Sequence, residues 1–391
     1  MSEFGTPGGV VIGSDFQSLG VVRSLRERGI PAFLIEYERG IARYSRFVRR
    51  RAAKHDLFSS GNGAQFLLDL ARKEQLDGWV LFANSDDAVK FLSQNRAALS
   101  QSFRVPVPSW DVTQRFFDKS HAYRAAAEAG IPIPRMYEAE SLDALLAQDL
   151  CFPLVLKPTF KENYYEKTRK KAILVEDRAQ LVAEFSQMIA LIPASQIVVQ
   201  EMITGGPQNL YSFVTVFDGE RAVAGMSAKR SRQHPMDFGH ATTFAESVHV
   251  PEIEELAVRF LRAIGYRGIA EVEFMYDTRS NSYKFIEMNG RVWGWHTLAK
   301  AAGVNLPHAL YELSMDHTVE ATSPALGVKW IRFLTDTPTV VGELWRRRMT
   351  IGDYVRSVRG RTEDAVFSWS DPLPFLMEFV LLPYLWWKKG F

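Results

Sequence analysis

The chain has 391 residues and a mass of 44.4 kDa, which is long for one domain and predicts two or three. Apolar residues make up 47% and charged residues 24%, which excludes a disordered chain or a fibrous repeat. The 47 Lys and Arg nearly balance the 45 Asp and Glu, so the overall charge does not favour binding to nucleic acid. Cys151 is the single cysteine, which excludes an intrachain disulfide, and the apolar run around it predicts a buried thiol.

The first elements are two apolar strands, 9–13 and 32–36, with an amphipathic helix between them. This β-α-β order predicts an α/β layer with parallel strands. The turn between strand and helix departs from G-x-G-x-x-G and places Asp15 where a pyrophosphate would lie, which argues against a nicotinamide cofactor. Asp86 and Asp87, after a further strand, either cap a helix or line a cleft at the edge of the sheet.

A buried strand at 152–158 ends on Lys157. Because its neighbours are apolar, the ammonium group must find an anion, unless the side chain snorkels to the surface. The polar stretch 161–171 that follows is predicted to be a loop; it carries several lysines and arginines and no glycine. A second basic loop is predicted at 229–234 and contains Arg230 and Arg232.

The most informative region is a predicted hairpin whose strands are 269–276 and 283–289, with its turn centred on Ser280. Residues two apart share a strand face, so Glu273 is expected opposite Glu287, and Glu271 opposite Asn289. Facing carboxylates destabilise a hairpin unless a cation or water compensates them. Hard oxygen ligands of this kind suit Mg²⁺, and the apolar neighbours argue against a solvated outer face.

At this point the order of elements resembles the ATP-grasp ligases, which end in an E-x-N-x-R motif. That motif is 287–291 here, and it follows the strand-end Lys157, the glutamate of 199–205 and the basic stretch. The resemblance covers about 8–315 and lies nearest the carboxylate–amine ligase branch, beside carbamoyl-phosphate synthase and D-aspartate ligase.

The resemblance implies an α/β and α+β multidomain fold, in which a Rossmann-like pre-grasp domain at 1–112 precedes a two-lobed ATP-grasp fold, with lobe A at 113–196 and lobe B with the Mg-ATP site at 197–320. Beyond the resemblance, the sequence itself predicts a helical C-terminal extension with an apolar tail at 321–391.

The resemblance also implies three groups of site residues. The nucleotide ligands are Lys119, Lys157, Glu201, Met202, Ile203 and Gln208, the last standing where many relatives have a ribose-binding glutamate. The ligands for Mg²⁺, or Mn²⁺ in its place, are Glu273, Glu287 and Asn289. The cations for the transferring phosphoryl group are Arg291 and Arg230, with Arg232 for the substrate carboxylate.

The function implied is an ATP-dependent carboxylate–amine ligase that forms an amide through an acyl phosphate and releases ADP and phosphate. Its partners would be a small carboxylate and an amine, with no nucleic acid. Two alternatives are the activation of carbamate or bicarbonate and a non-catalytic nucleotide-binding, membrane-associated assembly protein.

The N-terminus shows no signal peptide, which predicts a cytoplasmic protein, and a homodimer is left open. The apolar tail 374–391 either packs on the domain or lies at the inner face of the membrane, with Trp386 and Trp387 at headgroup depth.

Overall fold

The computed structural model describes residues 6–159, 164, 167–168, 170, 172–236, 239 and 241–389. Its strands are β1 Gly9–Ile12, β2 Ala32–Glu36, β3 Arg50–Ala53, β4 Trp79–Ala83, β5 Phe103–Arg104, β6 Met136–Tyr137, β7 Leu154–Pro158, β8 Ile173–Val175, β9 Ile197–Glu201, β10 Leu210–Phe217, β11 Ala222–His234, β12 Ala241–Val248, β13 Gly268–Asp277, β14 Ser282–Asn289, β15 Lys329–Ile331 and β16 Thr362–Asp364.

The helices within these residues are α1 Phe16–Arg26, α2 Gly63–Glu74, α3 Asp86–Gln94, α4 Arg96–Leu99, α5 Trp110–Phe117, α6 Lys119–Glu128, α7 Leu142–Leu146, α8 Arg178–Ile189, α9 Pro251–Ala263, α10 Thr297–Ala301, α11 Leu306–Ser314, α12 Phe333–Trp345, α13 Ile351–Val358 and α14 Leu373–Lys389. Short 3-10 turns occur at Ala42–Tyr44, Ala194–Gln196 and Pro207–Asn209.

The N-terminal sheet is parallel, in the order β3-β2-β1-β4-β5, as the β-α-β pattern predicts. At its carboxyl edge the buried amide of Asn84 donates to Asp15 at 2.9 Å and to Ser18 at 3.0 Å. Gly13 has a φ of +120°, and a Cβ there would collide with the Asn84 side chain, so a larger residue would break this edge. The edge that parallel α/β sheets use for ligands therefore carries an ordered polar network.

Lobe A is built on the four-stranded antiparallel sheet β6-β9-β7-β8, which packs on α8. Its core contains Leu156, Val175, Phe185 and Val199 and is distinct from the other two cores of the described residues. Residues 197–201, which were predicted to begin lobe B, form β9 and pair with β7 in this sheet.

Lobe B is a seven-stranded sheet in the order β14-β13-β10-β11-β12-β15-β16. Two differences from the sequence prediction arise here. The basic stretch 229–234 is the end of β11 rather than a loop, because it pairs with both β10 and β12. The C-terminal extension is mostly helical, but it contributes β15 and β16 to this sheet.

The C-terminal extension contains no helix that is long and apolar enough to cross a membrane, and the same is true of the other described residues. The predicted membrane contact of 374–391 stays a prediction. Cys151 is exposed, so the prediction of a buried thiol is wrong. The polar loop predicted at 161–171 lies mostly outside the described residues.

His296 lies in the core, where its Nδ1 is 2.8 Å from the Trp293 carbonyl oxygen and its ring occupies the space that a Cβ at Gly20 would need. Burial lowers the pKa of this imidazole to about 4. Below about pH 6.5 the His296 side chain therefore binds a proton in the unfolded chain, whereas in the folded chain it stays neutral until about pH 4. The neighbouring Trp293 and Trp295 are also buried, each with 2% of its surface exposed.

Acidification from pH 6.5 to pH 4 is expected to lower the free energy of unfolding by about 3 kcal/mol through His296 alone. Urea unfolding followed at several pH values measures this loss. A His296→Gln variant should lose that part of the pH dependence, whereas the exposed His249→Gln should keep it. An unchanged pH slope in the His296 variant would contradict the assignment.

Candidate active site

The hairpin of β13 and β14 carries the carboxylates in the predicted register. Glu273 pairs with Glu287 and Glu271 with Asn289, so this prediction is confirmed. Both Glu271 and Glu273 are buried, and Glu287 is half-buried. Because β10 lies on the other side of β13, its Ser212 hydroxyl donates to Glu271 at 3.1 Å and fixes that carboxylate.

Arg230 partly neutralises this carboxylate face. It lies on β11, which is separated from β13 by β10. Its guanidinium is ion-paired with Glu273 and lies 3.6 Å from Glu271. The Asn289 amide also donates to both carboxylates, at 3.0 Å each. The compensation is incomplete, since burial and the charges of Glu271 and Glu287 outweigh Arg230 and raise the pKa of Glu273 to about 8. The face can therefore accept further positive charge.

Arg291 joins the hairpin to the pre-grasp domain. Its Nε donates to Asp86 at 2.6 Å, and its Nη2 donates to the Asn289 Oδ1 at 3.1 Å. Burial alone would lower the pKa of Arg291, but the charge and hydrogen bond of Asp86 outweigh it and raise the pKa. Asp86 therefore does not only begin α3. It also holds Arg291, the last residue of the E-x-N-x-R motif, in place.

Lys157, at the end of β7 in lobe A, faces the carboxylate hairpin of lobe B. Burial and the nearby charge of Lys119 lower its pKa to about 8, while Glu287 and Glu273 oppose that shift. Lys119 begins α6, just after the capping residue Asp118. The two lysines predicted to bind phosphates are thus brought together with the carboxylates predicted to bind the metal.

The segment between the lobes is held by an ion pair that the sequence did not indicate. Lys284 on β14 pairs with Glu201 and lies 2.9 Å from Asp277. Glu201 also accepts a bond from the Arg135 backbone N–H at 3.0 Å. Lys284 and Glu201 are 83 residues apart in the sequence, and no local sequence pattern indicates that they pair.

The remaining predicted adenine-site residues surround this segment. The Met202 N–H donates to the Pro153 carbonyl at 3.0 Å, and the Met202 carbonyl accepts from Arg279 at 3.0 Å. Ile203 is buried, whereas Gln208 is exposed in a 3-10 turn. The backbone of Met202 is therefore fixed by neighbours on both sides.

Arg232 does not join Arg230 on the carboxylate face, which corrects the predicted role in holding the substrate carboxylate. Its Nε and Nη2 donate to Asp336 at 2.8 and 2.9 Å, and its Nη1 donates to Ser357 at 2.8 Å. The ladder of β11 is irregular between Lys229 and Arg232, and such a bulge redirects the side chains that follow it. Arg232 therefore ties the C-terminal extension to lobe B.

An Asp336→Asn variant is expected to lose about 3–5 kcal/mol of unfolding free energy, because Arg232 would be left buried without its counter-ion. The affinity for nucleotide should stay unchanged. The matched control is Asp316→Asn, which breaks an exposed pair with Arg104 and should cost less than about 1 kcal/mol. Full stability combined with a raised substrate KM would return Arg232 to the active site.

The donor set fits a magnesium ion held jointly with a nucleotide. Glu273, Glu287 and Asn289 supply two carboxylates and one amide oxygen, and Mg²⁺ commonly takes one or two carboxylates together with phosphates. The raised pKa of Glu273 shows a face short of positive charge. Within the described residues, no group of three or more His, Cys, Asp or Glu forms a metal site by itself.

Comparison with known proteins agrees with this geometry. Residues 212–321 match the family model described as carbamoyl-phosphate synthase L chain, ATP binding domain. The D-aspartate ligase of Enterococcus faecium is 26% identical over 326 residues, covering 78% of this chain and 75% of that protein.

Two solved structures share the fold. One is the L-amino acid ligase of Bacillus licheniformis, with a TM-score of 0.61 and 14% identity over 79% of this chain and 74% of that chain. The other is the biotin carboxylase domain of the Hydrogenobacter thermophilus 2-oxoglutarate carboxylase, in complex with MgADP and bicarbonate, with a TM-score of 0.63 and 16% identity over 82% and 73% of the two chains.

A parallel N-terminal sheet, a four-stranded antiparallel sheet and a carboxylate hairpin at the edge of the seven-stranded sheet form the arrangement of an ATP-dependent enzyme of the ligase class. In sequence over residues 212–321 and in fold over most of its length, the chain is similar to the ATP-grasp ligases, and the similar carboxylase domain is in complex with MgADP.

Proposed function

We propose that this enzyme is a carboxylate–amine ligase, which forms an amide bond through an acyl phosphate and releases ADP and phosphate. One observation carries the proposal: the buried carboxylate face of lobe B lies beneath Arg230 and opposite Lys157 of lobe A. Two relatives that join amino acids, the D-aspartate ligase and the L-amino acid ligase, support this chemistry.

The reaction proceeds in two displacements. An oxygen of the substrate carboxylate attacks the γ-phosphorus of ATP, and the bond to the β-phosphate oxygen breaks with ADP as the leaving group. The amine nitrogen then attacks the acyl carbon, the C–O bond to phosphate breaks, and the nitrogen loses its proton. Both steps depend on positioning and on charge neutralisation rather than on a covalent enzyme intermediate.

The residues of this chain divide the work. Lys157 and Lys119 bind the phosphates, while Arg230 and Arg291 stabilise the charge that develops on the transferring group. Glu273, Glu287 and Asn289 would hold Mg²⁺, and the ion would supply neutralisation of the phosphate charge.

The adenosine end of the nucleotide is bound beside the segment between the lobes. We assign adenine to Glu201 and to the backbone of Met202 and Ile203, and a ribose hydroxyl to Gln208. The ion pair of Lys284 with Glu201 keeps that glutamate in position before nucleotide arrives.

The acceptor side faces the pre-grasp domain, because Asp86 holds Arg291 there. Asp87 is the next residue, and burial and the charge of Asp86 raise its pKa. A carboxylate edge of this kind favours an amine that arrives as an ammonium ion, which must lose one proton to solvent before its nitrogen can attack. We therefore place the amine substrate at the carboxyl edge of the parallel sheet.

A second candidate function is the activation of carbamate or bicarbonate. It is favoured by the family model that matches lobe B and by the bicarbonate that accompanies MgADP in the complex of the similar carboxylase domain. The two candidates share the nucleotide site and differ only in the acid that attacks the γ-phosphorus.

The test is ADP release from Mg-ATP with hydroxylamine across a panel of amino acids, uronic acids and other carboxylates. Hydroxylamine traps acyl phosphates as hydroxamates, so one acid should give ADP and hydroxamate together. ADP release that needs bicarbonate or carbamate, without hydroxamate from any organic acid, would favour the second candidate. Failure to bind Mg-ATP would contradict both.

A further inference from the structure

The C-terminal helices are inverted: they bury polar side chains and expose apolar ones. On α12 the side chains of Phe333, Val341 and Trp345 are 51%, 59% and 86% exposed. The opposite face of the same helix is buried and polar; it carries Thr335, Asp336, Thr339 and Glu343. A surface helix of a protein surrounded by water normally shows the reverse pattern.

α14 also exposes apolar side chains, although its inner face contains apolar Phe375 and Leu381 together with one acidic residue. Its Glu378 is buried and pairs with Arg332 at 2.8 Å. Its outward residues are apolar; they are Leu373, Leu376, Phe379 and Val380. Between the two helices, Ile351 and Val355 of α13 and the indole of Trp369 are also largely exposed. Exposed apolar side chains concentrated in one region mark an interaction surface rather than random exposure.

Arginines accompany this apolar surface. The run Arg346–Arg348 follows Trp345 directly and is exposed, as are Arg356, Arg359 and Arg361. The acidic residues on the inner faces, Asp336, Glu343 and Glu378, are buried and ion-paired. Asp353 of α13 is exposed and pairs with Arg356 at 3.3 Å, but the exposed arginines outnumber it, so the outward charge of this region is positive.

A second basic segment lies beside the start of α14. Residues 39–54 contain seven Lys and Arg and no Asp or Glu. Asp371, just before α14, accepts from the Ser45 hydroxyl at 2.7 Å, the Arg46 N–H at 3.0 Å and the Arg23 Nε at 3.1 Å. This carboxylate therefore fixes the basic segment next to the apolar helix.

We propose that the C-terminal extension docks this enzyme on an anionic lipid surface, with the outward side chains of α12 and α14 in the headgroup region and the arginines on the lipid phosphates. Large apolar and tryptophan side chains edged by cations are the pattern of interfacial helices. A second copy of the chain is a poorer occupant, because a self-complementary interface needs acidic groups opposite its cations, and the exposed charges of this region are mostly arginines. The proposal is independent of the reaction chemistry, and it enlarges the predicted contact from the tail to three helices.

The test is flotation of the full-length enzyme with two kinds of vesicle, phosphatidylcholine alone and phosphatidylcholine mixed with phosphatidylglycerol. Binding is expected to the anionic vesicles, and to weaken with added salt. Each arginine at an anionic surface contributes roughly a five-fold factor in affinity, so Arg347→Glu with Arg359→Glu should weaken binding by at least about ten-fold. The control for that charge change is Lys73→Glu with Arg124→Glu, both exposed elsewhere.

The apolar contribution is tested with Trp345→Ser combined with Phe379→Ser. Both side chains are exposed, so the variant should fold and release ADP in solution as the wild type does, yet lose vesicle binding. The control is Ile189→Ser, an exposed apolar residue of lobe A. Absence of binding to anionic vesicles would overturn the proposal. So would sedimentation data in which the apolar variant dissociates a dimer while vesicle binding persists, since the surface would then be a subunit interface.

Discussion

A Glu287→Gln enzyme is expected to keep its fold and to release ADP about 10²- to 10³-fold more slowly than the wild type. Glu287 lies opposite Glu273. Its negative charge acts to raise the pKa of Lys157, Arg230 and Arg291, so it lies at the centre of the site. Glutamine preserves its size and removes the charge that a magnesium ligand needs. The measurement is steady-state ADP release at saturating Mg-ATP.

The matched control is Glu255→Gln, which makes the same change at an exposed position of α9 and should leave turnover unaltered. Nucleotide binding by the Glu287 variant is measured separately, by calorimetry with ADP in the absence of metal. Turnover within a few-fold of the wild type would remove Glu287 from the metal site and, with it, the proposed division of labour on the hairpin.

Arg230→Met is expected to lower the free energy of unfolding by about 3–5 kcal/mol and to abolish phosphoryl transfer. The substitution leaves the buried carboxylates of Glu271 and Glu273 without their nearest cation. Denaturant unfolding measures the first effect and ADP release the second. Arg221→Met, which disrupts an exposed pair with Asp218, should cost less than about 1 kcal/mol.

A double variant separates structure from chemistry. Combining Arg230→Met with Glu273→Gln removes both members of the ion pair, so a large part of the lost stability should return. Activity should not return, because the arginine and a metal ligand are both missing. If the double variant were no more stable than Arg230→Met, the destabilisation would have a cause other than uncompensated charge.

Local patterns are enough to predict the hairpin. A turn centred on Ser280 and the two-residue period of a strand fix the pairing of Glu273 with Glu287, and the structure has that register. The parallel pre-grasp sheet can also be predicted from the sequence, because the order strand, helix, strand allows few topologies.

Ion pairs between residues that are distant in the sequence cannot be predicted from local patterns. The local pattern predicts a loop around Arg232, but the stretch continues β11 and the guanidinium pairs with Asp336, 104 residues further on. The pair of Asp86 with Arg291 spans 205 residues, and only the folded sheet edge brings them together. Sequence patterns identify which charges must be compensated, whereas the tertiary fold decides which group compensates them.

The separate core of lobe A has a spectroscopic consequence. The chain has nine tryptophans, and none lies between residues 111 and 292, a span that contains the whole of lobe A. Intrinsic tryptophan fluorescence therefore reports the unfolding of the pre-grasp domain, lobe B and the extension, but is blind to lobe A. If lobe A melts as its own cooperative unit, circular dichroism and fluorescence will give curves that do not coincide. A nucleotide that bridges Lys157 and the carboxylate hairpin would bring the two curves together.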